Sequence, residues 1–255
     1  MIVILFIISI FSGFLSGLLG FGGAIVMIPL LLTFPPLLGA GELSMKAIAG
    51  LSMVQVFFAS LSGMLIHRKN NFVHVPTLLY IGIPMGISAF AGSYLSLYME
   101  NRFVLILFTV LVIVSFILLF TDKSDHDAKE MEDIRTQKAL CIILGTATGL
   151  LSGIAGVGGA IILIPVMIRV LKIPTKITIG TSLAIVFFGA FFGSLGKILS
   201  FQVEFLLVLP VVLGSLIAAQ FGAMLSKVTP PKVLKYLLIA VLFASIVQAF
   251  MKILQ

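Results

Sequence analysis

Charge is what this chain lacks most. Of its 255 residues only 10% are charged, against 60% that are apolar. Soluble domains carry about 25% charged residues, so a water-facing globule is excluded. The scarcity is organised. Residues 2–41, 47–66, 103–121, 139–168, 177–196 and 205–226 hold no charged side chain, and 70–99 hold only His74. A helix needs about 20 apolar residues to cross a hydrocarbon core of about 30 Å. These stretches are continuously apolar and do not alternate, which excludes a strand-built barrel. The chain reads as an all-α, polytopic helical membrane protein with mean hydropathy +1.28. Its first partner is the lipid bilayer.

Other scarcities narrow the chemistry. A single cysteine, Cys141, excludes an internal disulfide, a CxxC redox pair and a thiolate metal site. Aspartate, arginine and histidine are missing from the central thirds of the apolar segments. That removes the aspartate pair or histidine-activated serine of an intramembrane protease, the ligands of a metal-ion carrier and the arginine ladder of a voltage sensor. No Walker motif is present. The expectation is a protein that is not an enzyme, with no catalytic residues, no metal site and no cofactor. Glu42, Lys197 and Glu204 are near enough to a segment to be considered for proton coupling, and each reads as interfacial. The net charge of +7 comes from basic residues scattered singly between apolar runs. In a membrane protein that pattern is topology information, so no nucleic acid is expected as a partner. The N-terminus has neither a basic n-region nor an A-x-A site and reads as a retained span.

What is present is a duplication. Residues 13–29 read GFLSGLLGFGGAIVMIP and residues 149–165 read GLLSGIAGVGGAIILIP, with eleven of seventeen positions identical at an offset of 136. At an offset of 130, Lys46, Gly50, Ser52, Val56, Phe57, Phe58 and Gly63 match Lys176, Gly180, Ser182, Val186, Phe187, Phe188 and Gly193. The chain therefore divides into a first transmembrane repeat, 1–121, a polar linker, 122–138, and a second repeat, 139–255, each of four apolar segments. The linker holds six of the nine acidic residues and four of the sixteen basic ones, which makes it a solvated tether. Its Asp122, Asp125, His126 and Asp127 do not make a calcium loop, because Asp127 and Asp133 stand where glycine and glutamate are needed.

The first segment of each repeat, 2–33 and 139–171, is too long for one simple crossing and carries glycines inside it. Recurring in both halves, this predicts a discontinuous, glycine-broken helix at a binding site. If each such segment dips in and returns to its own side, twelve basic residues fall on one face and four on the other. Eight plain spans give eight and eight. The positive-inside rule selects the first arrangement, in which the halves are inverted and the linker is cytoplasmic.

The candidate site follows from the breaks. Gly20, Gly22 and Gly23, and Gly156, Gly158 and Gly159, allow positive φ and close approach of a ligand. The N–H groups opening the next half-helix, at Ala24 and Ile25 or Ala160 and Ile161, form an anion cradle reinforced by the helix dipole. Ser52, Thr181 and Ser182 add hydroxyls, and Lys46 and Lys176 add attracting charge at the entrance. The competing interpretation is that the glycines only permit tight packing, as the pairs Gly13/Gly17 and Gly149/Gly153 do. Gln55 and Gln220 read as bonding to neighbouring helices.

The twofold G-x-x-S-G-x-x-G-x-G-G-A-x-x-x-x-P pattern, with Lys46 to Ser52 and Lys176 to Ser182 downstream, resembles the sulfite exporter TauE/SafE family over essentially the whole chain. This family is also called the 4-toluene sulfonate uptake permease family. The resemblance implies a secondary transporter, an exporter of small sulfur-containing oxyanions such as sulfite, sulfonates or sulfoacetate, in the plasma membrane of a prokaryote. A coupling proton or counter-anion would drive it. Gly50-Leu51-Ser52 departs from the more typical Gly180-Thr181-Ser182, so the first half supplies one hydroxyl where the second supplies two. The alternatives are a carrier of a different small anion and a non-transporting membrane scaffold or assembly factor. A homo-oligomer is left open.

Overall fold

The computed structural model describes residues 1–68, 73–121 and 137–254, with no description of the side chains at 67, 68, 253 and 254. Most of the linker, with its expected tether role, lies outside the described residues, as does Lys69. Among the described residues every regular element is a helix. Its helices are α1 (Ile2–Leu19), α2 (Ala24–Leu37), α3 (Met45–Arg68), α4 (Val75–Leu95), α5 (Asn101–Phe120), α6 (Lys138–Ala155), α7 (Ala160–Arg169), α8 (Thr175–Leu199), α9 (Phe205–Val228) and α10 (Pro231–Leu254). A 3-10 turn, Ser96–Tyr98, extends α4. All but α2 and α7 are long and apolar enough to cross a membrane, which makes eight candidate spans. Large apolar side chains such as Leu206, Phe221 and Tyr236 are exposed. In lipid they meet a matching solvent, and backbone groups satisfied inside helices let the segments sit there.

Hydroxyls inside the spans are handled locally. Ser9, Thr109 and Ser115 donate to the carbonyls of Leu5, Leu105 and Leu111, one turn back, at 2.5, 2.8 and 2.7 Å. This removes the cost of carrying a free hydroxyl through hydrocarbon.

The packing partners set the direction of each helix. Along α3 and α8, Met53 meets Gly193, Phe57 stacks on Phe187, and Gly63 meets Leu183, so these two helices are antiparallel. Rising positions on α4 meet rising positions on α8, from Gly82 at Ile185 to Ser93 at Gly196, so that pair is parallel. Ser62 on α3 donates to Leu216 O on α9 at 3.0 Å, and Gly50 lies against Gln202 just before α9, a parallel pairing again. Helix α1 runs parallel to α9, with Gly13 at Ser215 and Gly17 at Ala219. Helix α6 runs parallel to α4, with Gly149 at Met85 and Gly153 at Ala89. At the sequence offsets of 136 and 130, the contacts of Gly13 and Gly17 with Ser215 and Ala219 correspond to those of Gly149 and Gly153 with Met85 and Ala89. By these pairings α3 runs opposite to α8, α1 opposite to α6, and α4 opposite to α9.

Two consequences position the site. Because α1 is parallel to α3, the chain between them must return to the end from which α1 started, and α2 makes that return. A Cβ at Gly23 would lie 2.7 Å from Ser12 O, two turns back along α1, which confirms the doubling back. Helices α6 and α7 do the same in the second half. The glycine pairs in α1 and α6 are contact surfaces. A Cβ at Gly17 would overlap the carbonyl of Ala219, and one at Gly153 the carbonyl of Ala89. Only hydrogen fits where two backbones approach so closely.

Candidate functional site

Helix α1 stops because Gly20 adopts φ 80°, ψ 7°, with its N–H bonded to Ser16 O at 2.8 Å. Gly22 and Gly23 follow at φ 78° and 83°, and α2 begins at Ala24. The second break repeats the geometry: Gly156, Gly158 and Gly159 have φ 77°, 67° and 84°, and Gly156 N–H bonds to Ser152 O at 2.8 Å. A left-handed conformation costs an L-residue about 1–2 kcal/mol, which three glycines per break avoid. Gly23 O accepts the N–H groups of Val26 and Met27, and Gly159 O accepts that of Leu163. By helix geometry, the N–H groups of Ala24 and Ile25, and of Ala160 and Ile161, have no acceptor within their own helix.

The two breaks meet. A Cβ at Gly22 would lie 2.7 Å from Val56 Cγ1 and 3.3 Å from Val186 Cγ1, and one at Gly158 would meet the same two methyls. Val56 and Val186 are the paired positions of the duplication, and both are fully buried. On either side the pattern continues. Gly156 packs on Ala49 and Gly20 on Ile179, again a matched pair. Residues 49, 52 and 56 lie on one face of α3 by helical spacing, as do 179, 182 and 186 on α8. Ser52 thus sits between the contacts of Gly156 and Gly158, and Ser182 between those of Gly20 and Gly22. Ala24, Ser52, Ala160, Thr181 and Ser182 are all completely buried.

The matched serines are used differently. Ser182 donates to Gly20 O at 2.9 Å and has Ile179 O at 3.0 Å, satisfying a carbonyl freed by the end of α1. Ser52 Oγ has no hydrogen-bond partner among the described residues. Thr181 turns away from the break, and its Oγ1 accepts the backbone N–H of His74 at 2.9 Å. His74 in turn shares a 2.7 Å bond between its Nδ1 and Thr77 Oγ1, and burial pushes its imidazole below the ordinary range. Gln55, expected to bond to a neighbouring helix, donates weakly to Ser12 Oγ at 3.4 Å, and its Oε1, beside Gly23, has no partner among the described residues.

The lysines are far from the breaks. Lys46 Nζ donates to Leu97 O at 2.8 Å, and Lys176 Nζ to Lys227 O at 3.0 Å. Each covers carbonyls at the C-terminal end of a neighbouring helix, where a cation also complements the dipole. They mark opposite ends of the bundle. An apolar cavity of about 460 Å³ lies at the Lys176 end, lined by Met64, Val73, Val75, Leu78, Ala184, Phe187 and Phe188. None of these residues belongs to a break.

The residue that sequence reasoning misplaced is Lys197. It was expected at the interface, yet it is 0% exposed. Its Nζ donates to Ser96 Oγ at 2.7 Å, to Gln202 Oε1 at 2.9 Å and to Ile154 O at 3.3 Å. Gln202 Nε2 completes the cluster by donating to Ser96 Oγ at 3.1 Å and Ser200 Oγ at 2.9 Å. The cause is the loop after α8. Phe201 takes φ 55°, and Gln202 N–H returns to Lys197 O at 3.0 Å, which folds the glutamine side chain over the lysine. The signal available in the sequence was a cation followed closely by Ser200 and Gln202, polar side chains that three donors can use.

Comparison with known proteins gives a consistent result. The family model described as Sulfite exporter TauE/SafE matches residues 5–249. The "Probable membrane transporter protein YunE" of Bacillus subtilis (strain 168) is 25% identical over 241 residues, 88% of each chain. "Probable membrane transporter protein YdhB" of the same organism is 26% identical, covering 92% of each chain. A "Probable membrane transporter protein" of Haemophilus influenzae is 27% identical, covering 100% of this chain and 97% of its own. No solved structure matches the chain significantly.

Proposed function

Because this chain belongs to the sulfite exporter TauE/SafE family, and is a multi-pass membrane transporter on that ground, we propose that it is a secondary exporter of a small sulfur-containing oxyanion such as sulfite, a sulfonate or sulfoacetate. The observation that carries this reading is the meeting of two helix breaks at Val56 and Val186. Each break directs the N–H groups of a following helix into the protein interior, where partial positive charge is worth most. Gly20, Gly22, Gly23 and Ala24 with Gly156, Gly158, Gly159 and Ala160 form the cradle, and Ser52 is its free hydroxyl. Ser182 and Thr181 hold the surrounding backbone.

The halves, 1–121 and 139–255, are inverted repeats joined by a cytoplasmic linker. The opposed directions of α3 and α8 support this, as does the gathering of Lys138, Arg169, Lys172, Lys176 and Lys227 at one end. At that end the apolar cavity forms a vestibule on the cytoplasmic side of a plasma membrane. The valine pair closes the centre, so the two halves must shift for an anion to pass. Lys46 and Lys176 each supply an attractive field at one mouth. A proton or counter-anion gradient drives the cycle without a catalytic step, cofactor or metal. Flux of labelled sulfite and methanesulfonate in proteoliposomes tests the reading. Saturable flux that a neutral sulfone does not compete supports it, whereas no flux of any oxyanion favours a scaffold role.

A further inference from the structure

We propose that Lys197 is the counter-charge of the transported anion, so that the anion binds at the second break, residues 156–159, and not equally at both. The inference rests on the exporter reading and adds to it a specific site and an asymmetry.

Three observations converge. First, Lys197 is a completely buried cation whose three acceptors, a hydroxyl, an amide oxygen and a backbone carbonyl, are all neutral. Among the described residues no carboxylate accepts from it. An ionisable side chain in such a place inside a membrane protein is costly and marks a functional site. Second, one of those acceptors is Ile154 O, in the last turn of α6 immediately before the break. Broken helices hold cations at the carbonyl end and anions at the N–H end. The ammonium occupies the carbonyl end, and Ala160, across the same break, opens the N–H end. Third, Ser52 offers a buried hydroxyl without a partner between the contacts of Gly156 and Gly158. Its counterpart Ser182 is committed to Gly20 O. Gly50, two residues before Ser52, packs on Gln202 O, which ties the lysine cluster to the same stretch of α3.

In sequence, the residue matching Lys197 in the first half is His67, so a lysine stands on one side only. A compact oxyanion fits the second break because its charge answers that of the ammonium, whose three N–H groups are already taken, while its acceptor oxygens can use the Ser52 hydroxyl and the N–H groups of α7. A neutral sulfone presents similar oxygens without the charge and is rejected.

The test uses the full chain in detergent, with sulfite and methanesulfonate as probes, dimethyl sulfone as the neutral control, and affinity read from ligand-dependent melting. Lys197→Met should fold with an unliganded melting temperature at or above that of the native protein. Ser96 and Gln202 already bond to each other, and removing the desolvation cost of a buried ammonium with no carboxylate partner among the described residues offsets the donor that Ile154 O loses. Its anion affinity should fall at least ~100-fold. Gln202→Glu places a carboxylate beside the ammonium as an internal anion and should weaken binding ~10-fold or more while leaving the fold intact. Retention of affinity within about threefold in Lys197→Met, or unchanged or tighter binding in Gln202→Glu, overturns the proposal. Should Lys197→Met fail to fold, Gln202→Glu decides alone. If the native protein binds both anions and the variants bind them equally, only this inference falls. If the native protein binds no oxyanion, the exporter reading falls with it.

Discussion

Ser182 and Ser52 occupy matched positions in the sequence, and their different bonding makes the proposed roles separable, Ser182 in holding the fold and Ser52 in binding the ligand. Ser182→Ala leaves a buried carbonyl at Gly20 short of a donor and should cost about 1–3 kcal/mol in stability, read from chemical or thermal unfolding in detergent. Ser52→Ala removes no hydrogen bond in the described structure. It should change stability by less than about 0.5 kcal/mol while reducing oxyanion affinity. The reverse ranking would place the ligand at the first break. A second residue-scale prediction concerns the central valines. Gly158→Ala puts a methyl against Val56 Cγ1 and forces a left-handed alanine, so transport should be lost. Adding Val56→Ala relieves the overlap but not the φ strain of about 1 kcal/mol, and should restore part of the flux. No rescue would mean that the glycine is required for ligand approach and not for room.

At the scale of elements, two interfaces depend on backbone contact. Helices α1 and α9, and equally α6 and α4, approach through glycine, alanine and serine, with Gly222 and Gly92 reciprocating Gly17 and Gly153. A Gly17→Leu substitution must push α9 away along its length, because the obstruction is the Ala219 carbonyl and not a side chain that can turn. The expected cost is above about 3 kcal/mol, the upper range for overpacking, visible as loss of monodisperse protein on size exclusion. Gly39 has nothing within 4 Å of a built Cβ and φ 66°, so Gly39→Ala should cost only about 1 kcal/mol. The same packing explains why α1 and α6 can end in the interior. Their glycine faces are anchored before the chain turns, leaving the break fixed between rigid neighbours.

For the whole molecule, the opposed helix directions have a topological consequence. Lys46, Arg102 and Lys252 belong to one end, and Arg169, Lys172, Lys176 and Lys227 to the other, so the basic residues are partitioned without any helix being out of place. Cysteines introduced at 172 and 227, in a Cys141→Ser background, should resist an impermeant thiol reagent in intact cells, while one at 46 should react. Cys141 is itself buried, so its removal serves only to silence it. Labelling at 172 or 227 with protection at 46 would reverse the orientation. Labelling at both ends would contradict the arrangement altogether.

The sequence by itself determined the solvent, the number of long apolar segments and the places where α1 and α6 must stop. Continuous apolar runs admit only helices in lipid, and a G-x-G-G inside an over-long run cannot continue one without strain. It also carried the duplication, since glycines that face a neighbouring backbone recur wherever that contact recurs. What only the tertiary structure decided is which groups share a place. Residues 20–23 and 156–159 are far apart in sequence, and nothing in their composition says that Val56 and Val186 bring them together. Thr181 and Ser182 read as ligands because hydroxyls near a helix start suit an anion, but their bonds to His74 and Gly20 depend on elements more than 100 residues away. Lys197 read as interfacial because it stands near the end of an apolar run. Its burial follows from the loop that folds Gln202 back over it and from the ends of α4 and α6 that close around it, and local pattern holds no record of such long-range packing.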